Sequence, residues 1–368
     1  MKRLGFIINS RLPNAAAVFS RGMLPHHLLT GWDDSASPMS LMRFHWIADA
    51  VNKQSRIHYE LYKPWRHYDA LMLVKSMAYD CTVFAKKEKA RGTRILFDAN
   101  VDYYTAPPND GPLPEMAPTE NQRSQALEMT GMADGVMASS RHLAEICSQY
   151  SSSPAEWIPD NVNLSLIPSR KNNSSAGNAP LLVWWSGMPQ KAFEFLAIET
   201  TLRKYASRIH LHLVTNDLSV MNVWSPDIQQ RFRTLLKDVP HTIHAFGSVE
   251  NLLRLYADHG GIVVSPRFLD TPYNLGHSEW KLTLAMACGL PAVCSPVPSY
   301  GDVAARAPGN AIRICQTEED WSTAFSSALD KSWDLADAGA AAIDTVEKHY
   351  STAVVAEKHL AFVSRILS

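Results

Sequence analysis

The stretch that most constrains the fold runs from Ser265 to Tyr300, with the apolar run just before it. Gly261-Ile262-Val263-Val264 is short and β-branched, which suits a buried strand of a parallel sheet. A loop carrying Pro266, Pro272 and Gly276 follows. Ser278 then stands as the expected N-cap of a helix, Gly289 as its stop and Pro291 as the breaker beyond. Trp280–Cys288 is apolar nearly all round, so that helix should be buried. Ala292-Val293-Cys294 starts a second strand at once. The unit is strand, elaborated loop, helix, strand.

The rest of the chain repeats that alternation. In the first half, strand patterns at Leu4–Ile8, Ile57–Tyr62, Asp69–Val74, Arg94–Asp98 and Gly135–Ala138 are interleaved with helical ones. The helices are expected from Ser37-Pro38 onward, where Met42, Trp46, Ile47, Ala50 and Val51 share a face, and over Asp80–Lys89, Glu120–Met132 and Ser140–Tyr150. Glu156–Pro159 closes the series. Ser169–Ala179 is small, polar and without periodicity, and reads as a linker. Beyond it strands are expected at Leu181–Trp185, Ile209–Val214, Thr242–Phe246 and Ala311–Cys315. Helices are expected over Gln190–Tyr205, Pro226–Lys237, Val249–Asp258, Thr317–Trp333 and within Thr345–Leu367. Strands alternating with helices imply parallel sheets covered on both faces. The expected organisation is an α/β domain over residues 1–163, a linker over 164–180, a second α/β domain over 181–345 and a terminal helix over 346–368.

Composition excludes several classes. The net charge of −1 has no basic excess, which argues against nucleic acid as a partner. The five cysteines form no CxxC pair, so they read as reduced thiols of a cytoplasmic protein without a zinc motif. The N-terminal apolar core in MKRLGFIINSRLP is too short for a signal peptide. No run approaches the roughly 20 apolar residues of a membrane span. Association with a membrane is therefore expected to be peripheral at most.

One residue breaks a local rule. With Ser278 as N-cap, Lys281 falls in the first helical turn, where unpaired N–H groups and the macrodipole already place positive charge. A cation there is unfavourable by about 0.3–1 kcal/mol. Such conflicts tend to occur at functional sites, and an anion held by the helix end and the ammonium together would remove this one. The alternative is a Lys281 that reaches solvent and pairs with Glu279 or Asp270. Lys191 repeats the conflict at a second helix start, just past the strand ending near Trp185. There the alternative is a tight turn and a solvated lysine.

Three pieces of the stretch share fixed spacings with one known group. They are Asp270-Thr271-Pro272-Tyr273-Asn274, His277-Ser278-Glu279-Trp280-Lys281 and Met286-Ala287-Cys288-Gly289-Leu290-Pro291-Ala292-Val293. Together they resemble the C-terminal signature of GT-B glycosyltransferases, in particular the family 4-like enzymes of bacterial polysaccharide and lipopolysaccharide clusters. Many members carry two glutamates eight positions apart, the second holding the nucleotide ribose. Those positions are Gly276 and Leu284 here, and Glu279 is the substitute at hand. The resemblance implies a GT-B architecture, two Rossmann-like domains facing a cleft. It also implies a donor site built from Gly187, Asn274, His277, Ser278 and Glu279, with Lys191 and Lys281 neutralising the leaving diphosphate. Members often have an arginine where Met188 stands.

In the first half, Phe97-Asp98-Ala99-Asn100-Val101-Asp102 resembles a Phe-Asp-x-Asp segment of the same enzymes. Asp98 and Asp102 are thereby candidates to contact an acceptor, or else an Asp cap in a polar loop. As a metal site they lack a third ligand, so no metal is expected. Arg43 is either a cleft-facing arginine or a surface one. His26-His27 and the scattered histidines make no catalytic order, and Trp184-Trp185 read as core. Asn9-Ser10-Arg11-Leu12-Pro13 is not the Gly-rich turn of a dinucleotide site. The expected function is glycosyl transfer from a nucleotide-sugar, as substrate and without a further cofactor, to a glycan or lipid-linked acceptor. Open alternatives are another GT-B chemistry, such as a nucleotide-sugar epimerase or nucleoside-monophosphate-sugar transferase, and a catalytically silent sugar-binding or scaffold member.

Overall fold

The computed structural model describes residues 1–9, 37–106, 117–169, 179–219 and 224–368. His26-His27, Ser10–Pro13, most of the polar linker and most of the Pro-rich stretch before Glu120 lie outside the described residues.

The expected α/β class is present as two six-stranded, wholly parallel sheets. The first contains β1 (Lys2–Ile8), β2 (Ile57–Leu61), β3 (Ala70–Val74), β4 (Arg94–Ala99), β5 (Gly135–Ala138) and β6 (Ala155–Trp157), ordered β2-β1-β3-β4-β5-β6. The second contains β7 (Leu181–Ser186), β8 (Ile209–Val214), β9 (His241–His244), β10 (Ile262–Ser265), β11 (Ala292–Cys294) and β12 (Ile312–Ile314), ordered β12-β11-β10-β7-β8-β9. In each the chain winds one way and then the other. The direction reverses between β1 and β3 in the first sheet and between β7 and β10 in the second. Ligands of open α/β sheets bind at such switch points, outside the carboxyl ends of the strands.

The helices cover both faces because the strands are apolar on both. All five residues of β3 and all four of β10 are buried. The helix Trp280–Ala287 lies in the core of the second half, with Leu282, Leu284, Ala285 and Met286 fully enclosed. The five cysteines are all buried. The terminal segment is two helices, Leu335–His349 and Thr352–Leu367. The break at Tyr350-Ser351 is used by Val162, whose N–H donates to the Tyr350 carbonyl at 2.8 Å and whose carbonyl accepts from Thr352 at 3.0 Å. The first of these helices packs on Trp280–Ala287. The second returns to the first sheet, where Val355, Ala356, Phe362 and Val363 join its core. Arg141 closes a further contact between the halves, 2.9 Å from Asp302.

Two local forms differ from the expected helices. Leu41–His45 is a π-helical turn between the α-helical Pro38–Ser40 and Trp46–Gln54. Pro189–Ile198 is a ten-residue 3-10 helix that becomes α-helical only at Glu199–Lys204. Phe193, Phe195, Leu196 and Ile198 are all buried, so no solvent face sets a 3.6-residue period there. Both forms are uncommon at such length and are often found at functional or strained places.

The second sheet also carries a histidine cluster. His212 lies 2.8 Å from His244, both stack near Trp184, and His210 and His259 flank them. Burial, then His210, His244 and His259, push His212 down to about 4. The unfolded chain takes up that proton near 6.5, so stability should fall as pH drops from about 6.5 towards 4. A His212→Leu variant should show a flatter melting temperature over that range. An equally steep profile would put the loss elsewhere.

Candidate functional site

The site forms where β7 and β10 separate. Gly187, just past β7, is a glycine because of what lies against it. A Cβ there would stand 2.7 Å from Lys281 Nζ and 2.8 Å from the Trp185 ring. Its backbone is held by Val214, which accepts from its N–H at 3.1 Å, and by Thr215, whose hydroxyl donates to its carbonyl at 2.8 Å. The 3-10 helix follows. In that geometry residues three apart eclipse, so Lys191 and Glu194 point the same way.

The loop after β10 supplies the rest. Arg267 is fixed by its N–H donating to Ser295 Oγ at 2.8 Å, and its guanidinium donates to Glu194 at 2.7 Å in a fully buried pair. Asn274 donates to the other Glu194 oxygen at 2.9 Å and to the Phe268 carbonyl at 2.8 Å. Lys191 Nζ lies 4.3 Å from the centre of the Tyr273 ring and in direct contact with His277 Nε2. Lys281 Nζ lies 5.3 Å from the Trp185 ring centre, is enclosed, and has no hydrogen-bond partner. The pairing with Glu279 or Asp270 that the sequence left open does not form.

Charge in this group is unbalanced. Lys191, Lys281, Arg267 and His277 share one carboxylate, Glu194, which Arg267 and Asn274 already use. Burial, then Arg267, push Lys281 down to about 7. Burial, then Arg267 and Lys281, hold Lys191 well below the usual lysine range. Burial and Lys191 hold His277 well below the usual histidine range. No side chain caps the Trp280–Ala287 helix, so its first N–H groups add to the same deficit. An anion is what this arrangement lacks.

The helix start itself is a correction. The N-cap is Glu279, and the helix begins at Trp280, one residue later than Ser278 would set it. The Ser278 side chain lies beside the Asp160 carboxyl and helps hold down its proton affinity. Lys281 is still in the first turn. Glu279 is fully enclosed, and neither of its carboxylate oxygens has a hydrogen-bond partner. Burial, then Asp160, push it well above the usual carboxylate range. Its charged neighbours are Asp160, Asp302 and Arg43 rather than the lysines.

Arg43 and Asp98, read as facing an acceptor, are turned inward. The π-helical turn presents Arg43 to Asp98, which accepts from Nε and Nη2 at 2.8 Å each. Nη1 donates to the Ile158 carbonyl at 2.9 Å and to Asp160 at 3.1 Å. With every guanidinium nitrogen bonded inside the protein, the pair ties β4 to the chain leaving β6. Asp102 sits differently. One oxygen caps the N–H groups of Tyr104 and Thr105 at 2.9 and 3.0 Å, and the other is buried without a partner. Its Cβ lies 2.8 Å from where a Gly276 Cβ would be. Gly276, at the position of the first glutamate in the signature the sequence resembles, has no room for a side chain against the first half.

Arg267, Glu194 and Tyr273 were not singled out from sequence, and neither was Lys75. Lys75 is the first residue past β3, at the switch point of the first sheet, and its φ is 49°. That left-handed conformation costs a non-glycine residue about 1–2 kcal/mol. Among the described residues there is no group of three or more histidine, cysteine or acidic side chains placed to hold a metal, and no helix long and apolar enough to cross a membrane.

Known structures share this fold. Anabaena HepE, solved in complex with UDP and glucose, aligns over 99% of this chain and 99% of its own, with a TM-score of 0.63 at 12% identity. The match runs over nearly the whole length of both chains. The fold is GT-B. AviGT4, a glycosyltransferase involved in avilamycin A biosynthesis, aligns over 100% of this chain and 98% of its own, with a TM-score of 0.56 at 12% identity. Sucrose-phosphate synthase from Thermosynechococcus elongatus shares the GT-B fold over 81% of this chain and 74% of its own, at TM-score 0.57 and 16% identity. No family model and no curated protein sequence matches the chain.

Proposed function

We propose that the chain is a glycosyltransferase that moves a sugar from a nucleotide-diphosphate donor to a glycan or lipid-linked acceptor. In this reading residues 181–345 take the donor, residues 1–163 take the acceptor, and the terminal helix couples them. The observation that carries it is Lys281, an enclosed ammonium with no partner, at an uncapped helix start among other cations. The GT-B fold and the UDP-glucose held by Anabaena HepE support a nucleotide-sugar as the missing anion.

The chemistry follows from the charges. Breaking the bond to the anomeric carbon leaves negative charge on the diphosphate and positive charge on the sugar. Lys281, the helix N–H groups and Lys191 would stabilise the leaving phosphate as its charge grows. This assigns neutralisation to protein groups. His277, beside Lys191 and held neutral by its neighbours, would accept a hydrogen bond from that ammonium and orient it. Retention of anomeric configuration, a cytoplasmic location with peripheral membrane contact and a part in surface polysaccharide synthesis complete the proposal.

The test is a panel of nucleotide-sugars incubated with the protein, with release of nucleoside diphosphate as readout. One donor should be consumed, and a sugar acceptor should accelerate it and yield a product of retained configuration by NMR. Binding of sugars without any turnover would favour a silent sugar-binding protein, and release of a nucleoside monophosphate would favour another chemistry.

A further inference from the structure

Resting on that reading, we propose that Lys75, from the first half of the chain, is a third ligand for the donor's diphosphate and reaches it across the cleft.

The placement is the argument. Lys75 follows β3 at the point where the first sheet reverses its winding, as Gly187 and Lys191 follow β7 at the reversal of the second. The left-handed turn is held on both sides. Lys75 N–H donates to the Asp98 carbonyl at 3.0 Å, and Asn9, itself at φ 54°, donates to the Val74 carbonyl at 3.0 Å. Residues held in such conformations cluster at ligand sites, where the surroundings enforce them. Next to β3, the carboxyl end of β4 leads to Asp102, which is pressed against Gly276, one residue before His277. The first half therefore meets the signature loop beside the cations.

Lys75 is half-buried, and among the described residues no carboxylate pairs with it. Its charge is felt by Lys191 and by His277 in the other half, and burial lowers its own proton affinity. A structural lysine would sit beside an anion of the protein. The charge of this one instead lowers the proton affinity of two nitrogen bases in the other half. A phosphate between them converts that repulsion into attraction from both halves.

A phosphate on an acceptor would have the same chemistry, so the test separates the two sources. Asparagine tolerates the left-handed backbone, so Lys75→Asn removes the charge and keeps the turn. Lys75→Arg keeps the charge. Calorimetric titration with UDP and with inorganic diphosphate, over a series of salt concentrations, is the measurement. Lys75→Asn should bind both about tenfold more weakly or worse, with a shallower salt dependence and an undiminished melting temperature. Lys75→Arg should retain most of the affinity. Unchanged UDP and diphosphate affinity in Lys75→Asn overturns the inference, and a raised KM for a phosphorylated acceptor alongside it assigns the charge there. If Lys281→Met loses UDP while Lys75→Asn does not, the donor-site reading stands without Lys75. If wild type binds neither probe, both fall.

Discussion

Lys281→Met should weaken binding of the nucleotide-diphosphate donor tens-fold or more and slow its breakdown at least as much. A charge-assisted contact to phosphate contributes roughly 1.5–3 kcal/mol, and every 1.4 kcal/mol is about tenfold in affinity. Stability should move the other way. The ammonium has no partner in the free protein and faces Arg267, so a methionine of similar length removes a repulsion and keeps the packing on Trp185. The pH dependence gives the sign independently. Lys281 titrates at about 7 in the folded chain against an ordinary value of 10.5, so between them the unfolded chain holds the extra proton. Wild-type stability should therefore rise with pH across that window on account of this group, and the variant should lack that component. Melting temperature and UDP affinity measured on one preparation decide the matter. Lower stability with intact affinity would make Lys281 a structural lysine.

Arg43→Met should unfold much of the first half's stability and leave the donor site alone. Arg43, Asp98 and Asp160 form a buried group in which one cation serves two carboxylates. Removing one member of a buried ion pair leaves uncompensated charge and costs about 3–5 kcal/mol. Burial already pushes the Asp160 carboxyl up against the opposing pull of Arg43, so it should protonate in the variant. Adding Asp98→Asn should restore part of the loss, because the second uncompensated carboxylate is then gone. UDP affinity per folded molecule should not change. Ordinary stability with a raised acceptor KM would return Arg43 to the cleft, where its place early in a helix first suggested it.

What was legible in the sequence was local. Continuous apolar runs within Asp69–Val74 and Gly261–Val264 announced parallel strands, and both faces of β3 and β10 are buried. The two lysines announced themselves by sitting where a helix start disfavours a cation. What was not legible was long-range. Glu194 and Arg267 are separated by 73 positions, and nothing near either one marks the pair. Lys75 follows one of these expected strands, but its position matters only once β3 is known to lie beside β1. Ser278 is the residue type of an N-cap, but its side chain lies beside the buried Asp160 and the helix starts one residue later. Asp98 and Asp102 looked alike as two acids past a strand. Asp98 is the acid that Arg43 reaches, while Asp102 lies far enough along the loop to touch Gly276.

The central claim is that Lys281 and its neighbours are a cation group waiting for a diphosphate, and proton uptake on binding tests it most directly. An anion beside an ammonium favours the charged form, so binding should raise the proton affinity of Lys281 and Lys191. Titration of UDP into the protein at a pH about one unit above the Lys281 value, in buffers of different ionisation heat, reads the protons taken up. The account predicts binding with net uptake approaching one proton or more, reduced in Lys281→Met together with the affinity. Binding without proton exchange, equal in wild type and variant, would contradict it.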